Sequence, residues 1–92
     1  DISKKEATSL GIDELAEVIS SGSTAPGMVM DEASDLFLDR YNNADIIISK
    51  GQGNLEGLSD VNNDIYYLLK AKCELVANLL DVKVGDFVFL LK

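Results

Sequence analysis

Apolar positions along the chain fall into short runs separated by polar, glycine-bearing connections, and their spacing predicts alternating helices and strands. Residues 3–10 read as a short helix, with Ser3 as N-cap, Glu6 three residues on as its capping-box partner, and Gly11 as the stop. Leu15, Ala16, Val18 and Ile19 form an apolar run that predicts a buried strand. It ends in SSGSTAPG, residues 20–27, a cluster of turn formers holding the only proline. Val29, Ala33, Leu36, Phe37, Arg40 and Tyr41 recur at three- and four-residue spacing and predict a helix that Asn42 and Asn43 end. The run ADIIIS, residues 44–49, predicts the clearest strand, because three consecutive β-branched isoleucines suit a strand buried on both faces.

The pattern then repeats. Residues 50–53 form a loop, and a short helical stretch follows over residues 55–58. Residues 60–64 are a polar connection. Residues 65–69 predict a third strand, residues 74–80 a helix with Leu75, Val76, Leu79 and Leu80 on one side, and FVFLL after Gly85 a fourth strand. Alternation at this spacing predicts an α/β fold with a mostly parallel sheet of about four strands and right-handed crossovers. Strands this apolar need helices above and below. A sheet this thin leaves an edge exposed unless more chain covers it, so residues 1–92 read as part of a larger domain.

Composition narrows the function classes. The chain has 92 residues, 47% hydrophobic and 26% charged. These values are typical of one small globular domain. No run approaches the roughly 18 apolar residues of a membrane span, and the first residues carry no apolar signal segment, so no membrane partner is expected and a cytoplasmic location is. The chain opens on Asp1 without an initiator methionine, which suggests a processed product or a piece of a longer protein. The net charge of -8 argues against a broad nucleic-acid surface. With no histidine and the single Cys73, the chain cannot build a His- or Cys-based zinc site, a disulfide framework, or Ser-His or Cys-His catalysis on its own. Any metal is expected to be a hard cation on oxygen ligands.

Two loops are expected at the carboxyl edge of the sheet, where doubly wound folds bind ligands: residues 20–27 and residues 49–54. Both offer hydroxyls and glycines, and each leads to a helix start that favours negative charge. Lys50 adds a cation, so that point charge, backbone donors and dipole agree in sign for a phosphate. The glycines are weak evidence. Gly51, Gly53 and Gly57 give GxGxxxG rather than the dinucleotide fingerprint, and Lys50 precedes them, unlike a Walker A lysine. From the pattern alone, a strand-to-helix corner with a solvated Lys50 is the favoured reading and a phosphate cradle the alternative. Asp31, Glu32, Asp35 and Asp39 read as a solvated helix face, Asp60 and Asp64 as turn residues, and Cys73 as a structural thiol.

Taken in order, DISKKEA, SSGSTAPGMVMDEAS, ADIIISKGQGNLEGL, IYYLLKAKCELVANLL and VKVG resemble the C-terminal part of the damage-control phosphatase family. That family was long catalogued as a domain of unknown function and includes the acidic-residue methyltransferase-like proteins. The resemblance implies a Rossmann-like three-layer α/β/α fold whose N-terminal part lies outside this chain. It also implies a metal-dependent phosphatase acting on small phosphorylated metabolites such as sugar phosphates or phosphopantetheine-like compounds, with magnesium, manganese, cobalt or nickel as the divalent metal. Asp1, in Asp1-Ile2-Ser3, matches a metal ligand of the family. The family's Asp-Asn pair has no match here, since Asn42-Asn43-Ala44-Asp45 does not resemble it. The SKGQGN loop matches the family's substrate-side loop, which implies phosphate contact by Lys50 with Gly51, Gly53 and Asn54 beside it, and the SGSTAPG loop brings Ser23 to the same site. Thr24 stands where many members carry an acidic residue, a departure that speaks against a direct role for it. The expectation is an enzyme fragment, inactive alone, that needs the missing N-terminal part. The alternative is a non-catalytic α/β binding or interaction module.

Overall fold

The computed structural model describes residues 2–59, 61 and 64–92. The ligand expected at Asp1 and part of the polar connection at 60–64 lie outside them. Four short helices and a small sheet make an α/β fold. The helices are α1 (Lys4–Ser9), α2 (Asp35–Asn43), α3 (Gln52–Leu58) and α4 (Glu74–Leu79). The strands β1 (Ile48–Lys50), β2 (Tyr66–Lys70) and β3 (Phe87–Leu91) form a sheet in the order β1-β2-β3.

Helix α1 begins as its sequence dictates. The Ser3 backbone N–H donates to the Glu6 carboxylate, the reciprocal half of a capping box. That bond holds the Glu6 carboxyl below its ordinary value of 4.5, first through the Ser3 backbone N–H and then through the Ser3 side chain. A depressed acid contributes stability above its unfolded value and loses it as pH falls through the lowered folded value. The Ser3 amide proton shift followed against pH is therefore expected to report a midpoint below 4.5. A midpoint at or above the ordinary value would remove this cap.

The helix expected from Val29 to Tyr41 is interrupted. Met30–Glu32 forms a single 3-10 turn, Ala33 is extended, and Ser34 starts α2 by accepting the Phe37 N–H at 3.1 Å. A serine hydroxyl competes with helical backbone bonding and wins at this position.

The sheet differs from the expectation of about four mostly parallel strands. Residues 15–19 form no strand among the described residues. They follow a 3-10 turn at Ile12–Glu14, the Leu15 and Ala16 N–H groups bond back to Ile12, and Leu15 is 89% exposed. An apolar run signals a need for burial and not the ladder that supplies it. β1 pairs parallel with β2, Ser49 opposite Tyr67, after the chain crosses back through α3. β2 pairs antiparallel with β3, Leu68 opposite Phe89. The reason is local. α4 spans only six residues, about 9 Å at 1.5 Å per residue, and the chain then turns at Gly85. Gly85 N–H bonds to Ala71 O and Ala71 N–H to Asp86 O, so the return begins at the end of the sheet where β2 finished.

The core lies on one face of the sheet. Ser49 of β1 and Tyr67 and Leu69 of β2 are buried there, with Ile65 fully buried at the foot of β2. Met28, Tyr41, Leu55, Leu58 and Val76 close over them from the loops and helices, and Val88 and Leu90 of β3 pack against the same cluster. Each fully buried side chain of this size contributes about 1.5–3 kcal/mol. The isoleucines expected to be buried on both faces are not. Ile46 is 68% and Ile48 65% exposed, and Leu68, Phe89, Phe87 and Leu91 alternate onto that same bare face.

Candidate functional site

The stretch ISKGQGN turns a corner in which each residue has a separate task. Ser49, the last buried position of β1, points into the core, where its hydroxyl has no hydrogen-bond partner among the described residues. The Tyr41 hydroxyl is buried in the same way. Burial pushes the Tyr67 phenol up, with a smaller push from Tyr41. Gly51 caps α3 with φ of 101°, a conformation that L side chains rarely adopt, and its N–H donates to Leu68 O at 2.8 Å. That N–H, one of the expected anion donors, is thus committed to the sheet.

Gly53 and Gly57 answer a different need. They lie four residues apart in α3, on one face, and the segment Pro26–Gly27–Met28 runs across that face backbone against backbone. A Cβ at Gly53 would sit 2.5 Å from the Pro26 carbonyl oxygen, and one at Gly57 2.0 Å from that of Met28. The GxGxxxG pattern therefore combines one left-handed cap with two points of close approach.

That approach brings the two expected loops together at one edge of the sheet. Asn54 closes the joint: its Oδ1 accepts the Met28 N–H at 2.8 Å, and its Nδ2 donates to the Lys50 carbonyl at 2.8 Å. Gln52 makes a second joint, to the loop after β2. Its Oε1 accepts the Lys72 N–H at 2.9 Å, and its Nε2 reaches Glu56 Oε1 at 3.3 Å and Cys73 Sγ at 3.6 Å. Sequence reasoning did not assign Gln52. Its only signal was a polar residue with both a donor and an acceptor at the first position of a helix.

The joined loops border a cleft of about 1410 Å³. Lys50, Gly51, Gly53 and Asn54 line it together with Gly27, Met28 and Lys72, while Glu17 and Arg40 stand on its far wall. Small-molecule pockets usually occupy about 300–1,000 Å³. The larger volume marks an open trough rather than a closed pocket. Glu17 and Arg40 form an ion pair at 3.0 Å with both side chains more than half exposed, a contact of about 0–1 kcal/mol. The Lys50 ammonium forms no ion pair or hydrogen bond among the described residues. Ser23 stands apart from the cleft wall: its hydroxyl donates to Glu32 Oε2 at 2.6 Å and accepts the Ala25 N–H at 3.1 Å, which fixes the 20–27 turn. Asp31 and Glu32 lie on the 3-10 turn, and Asp35 and Asp39 on α2, all exposed as expected. Cys73 is half-buried at the start of α4.

Among the described residues, no three Asp, Glu or Cys side chains gather as a cation centre. The described residues do not fit a metal ion by themselves. No described helix is long and apolar enough to cross a membrane.

Comparison with known proteins adds an independent line. The sequence model of the damage-control phosphatase ARMT1-like domain matches residues 1–88. Among curated proteins, the chain is similar to an uncharacterised protein of Methanocaldococcus jannaschii, at 44% identity over 94 residues, covering 98% of this chain and 31% of that protein. It is also similar to a damage-control phosphatase of Pyrococcus horikoshii, at 42% identity over 89 residues, covering 96% and 31%. A damage-control phosphatase of Archaeoglobus fulgidus shows 40% identity over 90 residues with the same coverage. The fold is similar to the crystal structure of a DUF89 family protein from Pyrococcus horikoshii, with a TM-score of 0.92 at 41% identity, covering 98% of this chain and 32% of that one. The chain spans about a third of the length of the curated relatives it matches.

Proposed function

The chain belongs to the damage-control phosphatase ARMT1-like domain family, and from that premise we propose that it is the C-terminal, substrate-loop part of a metal-dependent phosphatase acting on small phosphorylated metabolites. Sugar phosphates and phosphopantetheine-like compounds are the substrate classes. The observation that carries this reading is Lys50: a cation without a partner among the described residues, on a loop whose two side-chain amides are already engaged, lining an open cleft. In this role Lys50 balances the charge of the phosphoryl group. Gly51, with open space where a Cβ would stand, keeps the approach free of a side chain, and Gly53 lets the two loops meet. Asn54 and Ser23 hold the two loops in place.

In the same reading Asp1 supplies one carboxylate to a divalent ion, magnesium, manganese, cobalt or nickel, and the remaining ligands come from the part of the longer protein that this chain lacks. Bound there, such an ion would supply Lewis-acid polarisation of a phosphoryl group and of its water. That missing part also completes a Rossmann-like three-layer domain by covering the bare sheet face, on which Phe87 is 85% and Phe89 65% exposed. An uncovered apolar face of this kind is a common mark of an interaction surface.

The test is a phosphate-ester assay of the full-length protein and of the 92-residue chain, each with the four metals. Turnover is expected from the full-length protein and negligible turnover from the chain alone. Substantial turnover by the chain, or none by the full-length protein with any of the metals, would overturn the reading.

A further inference from the structure

We infer that Gln52 and Asn54 are positioning residues: two side-chain amides that lock three loops around Lys50. The inference deepens the phosphatase reading and rests on it only for its kinetic arm.

The partners fix the chemistry. Asn54 faces one backbone N–H, from Met28, and one backbone C=O, from Lys50. The Asn54 amide supplies the acceptor and the donor from two separate atoms, and only one orientation of that amide fits. Both bonds, at 2.8 Å, are of normal length, so neither polar atom of Asn54 is free to turn toward a ligand without breaking one. Gln52 has one more methylene and reaches across to Lys72, 20 positions along the chain. The loop from Lys50 and the loop through Lys72 leave the sheet at one edge, the segment ending at Met28 runs across α3 beside them, and these two amides link the three. The Asn54 link acts directly on the Lys50 backbone, so it sets the base from which the ammonium extends. A misplacement of about 1 Å at such a base is enough to cost up to about 10²-fold in rate.

The experiment uses the full-length protein, with hydrogen exchange read over residues 25–29 and 71–73 and p-nitrophenyl phosphate as the kinetic probe. Asn54→Ala is expected to speed exchange over 25–29 and to lower kcat/KM at least about 5-fold. Asn54→Asp keeps the acceptor for the Met28 N–H and loses the donor to Lys50. It is expected to restore protection over 25–29 without restoring kcat/KM, a split that a merely structural role would not produce. Gln52→Ala is expected to speed exchange over 71–73, and Gln52→Glu, which keeps the acceptor for Lys72, to restore it. Unchanged exchange in both alanine variants overturns the inference, as does a smaller fall in kcat/KM for Asn54→Ala or full kinetic recovery in Asn54→Asp. If the wild-type protein hydrolyses no phosphate ester, the phosphatase reading fails, and the exchange arm alone decides whether the amides are struts.

Discussion

The Gly57→Ala variant is expected to lose about 3 kcal/mol of stability or more. Helix propensity alone gives the opposite sign, since alanine in place of a helical glycine is worth about 1 kcal/mol of stabilisation. Gly57 is also exposed, which argues for tolerance. The decisive quantity is a distance. A Cβ at this position would lie 2.0 Å from the Met28 carbonyl oxygen and 3.1 Å from its carbon. Both are backbone atoms, so relief requires the 26–28 segment to lift off α3. That movement also pulls on the Asn54 bond to Met28 and on the contact at Gly27, where a Cβ would lie 2.7 Å from the Gly53 carbonyl oxygen. Domains of this kind have about 5–15 kcal/mol in total, so the loss is a large fraction. Urea unfolding of the full-length protein measures it. An unchanged or raised midpoint for Gly57→Ala would show that the segment does not press on α3. Gly51→Ala is an instructive contrast, because no atom lies within 4 Å and only the φ of +101° opposes a side chain there.

The corner around Lys50 was legible in the sequence because its signals are local. A β-branched run, a lysine, two glycines and a returning leucine period lie within 15 residues, and the structure puts β1, the cap and α3 in that order. The same holds for the Ser3–Glu6 box, for β2 and for α4. What the sequence did not disclose depends on contacts between distant residues. Gly53 looked like a turn glycine and Gly57 only like part of a weak glycine pattern, because nothing local shows that residues 26–28 run across them. Gln52 went unassigned because its partner lies 20 positions away. The polarity of β3 depends on α4 being too short to carry the chain back across the sheet. Leu15, Ile46 and Ile48 share one cause: their composition asks for burial, and no described part of this chain provides it. Ile46 and Leu15 are the exposed ends of that demand. Family resemblance supplied what periodicity lacked, because it drew on a chain about three times as long.

Replacing Lys50 with alanine in the full-length protein is expected to lower kcat/KM by about 10²-fold, comparable to the loss of one donor from an oxyanion site. A unit charge about 4 Å from a phosphoryl oxygen contributes about 4 kcal/mol at an effective dielectric of 20, and water entering the gap returns part of it. Two decades, or about 2.7 kcal/mol, is the remainder. The fold should not register the change. The Lys50 ammonium has no partner among the described residues, and the group of Lys50 that Asn54 grips is its carbonyl, which every residue has. The unfolding midpoint is therefore expected to stay unchanged while the rate falls, in contrast to Gly57→Ala, where the midpoint falls first. Lys50→Arg keeps the charge on a planar, longer head and is expected to recover only part of the loss, because the anchored base leaves little room to withdraw it. Added salt should narrow the gap between wild type and Lys50→Ala, since the contact at this open cleft is screened. A kcat/KM within about 3-fold of wild type for Lys50→Ala would exclude the lysine from the phosphoryl site and return the loop to a structural corner.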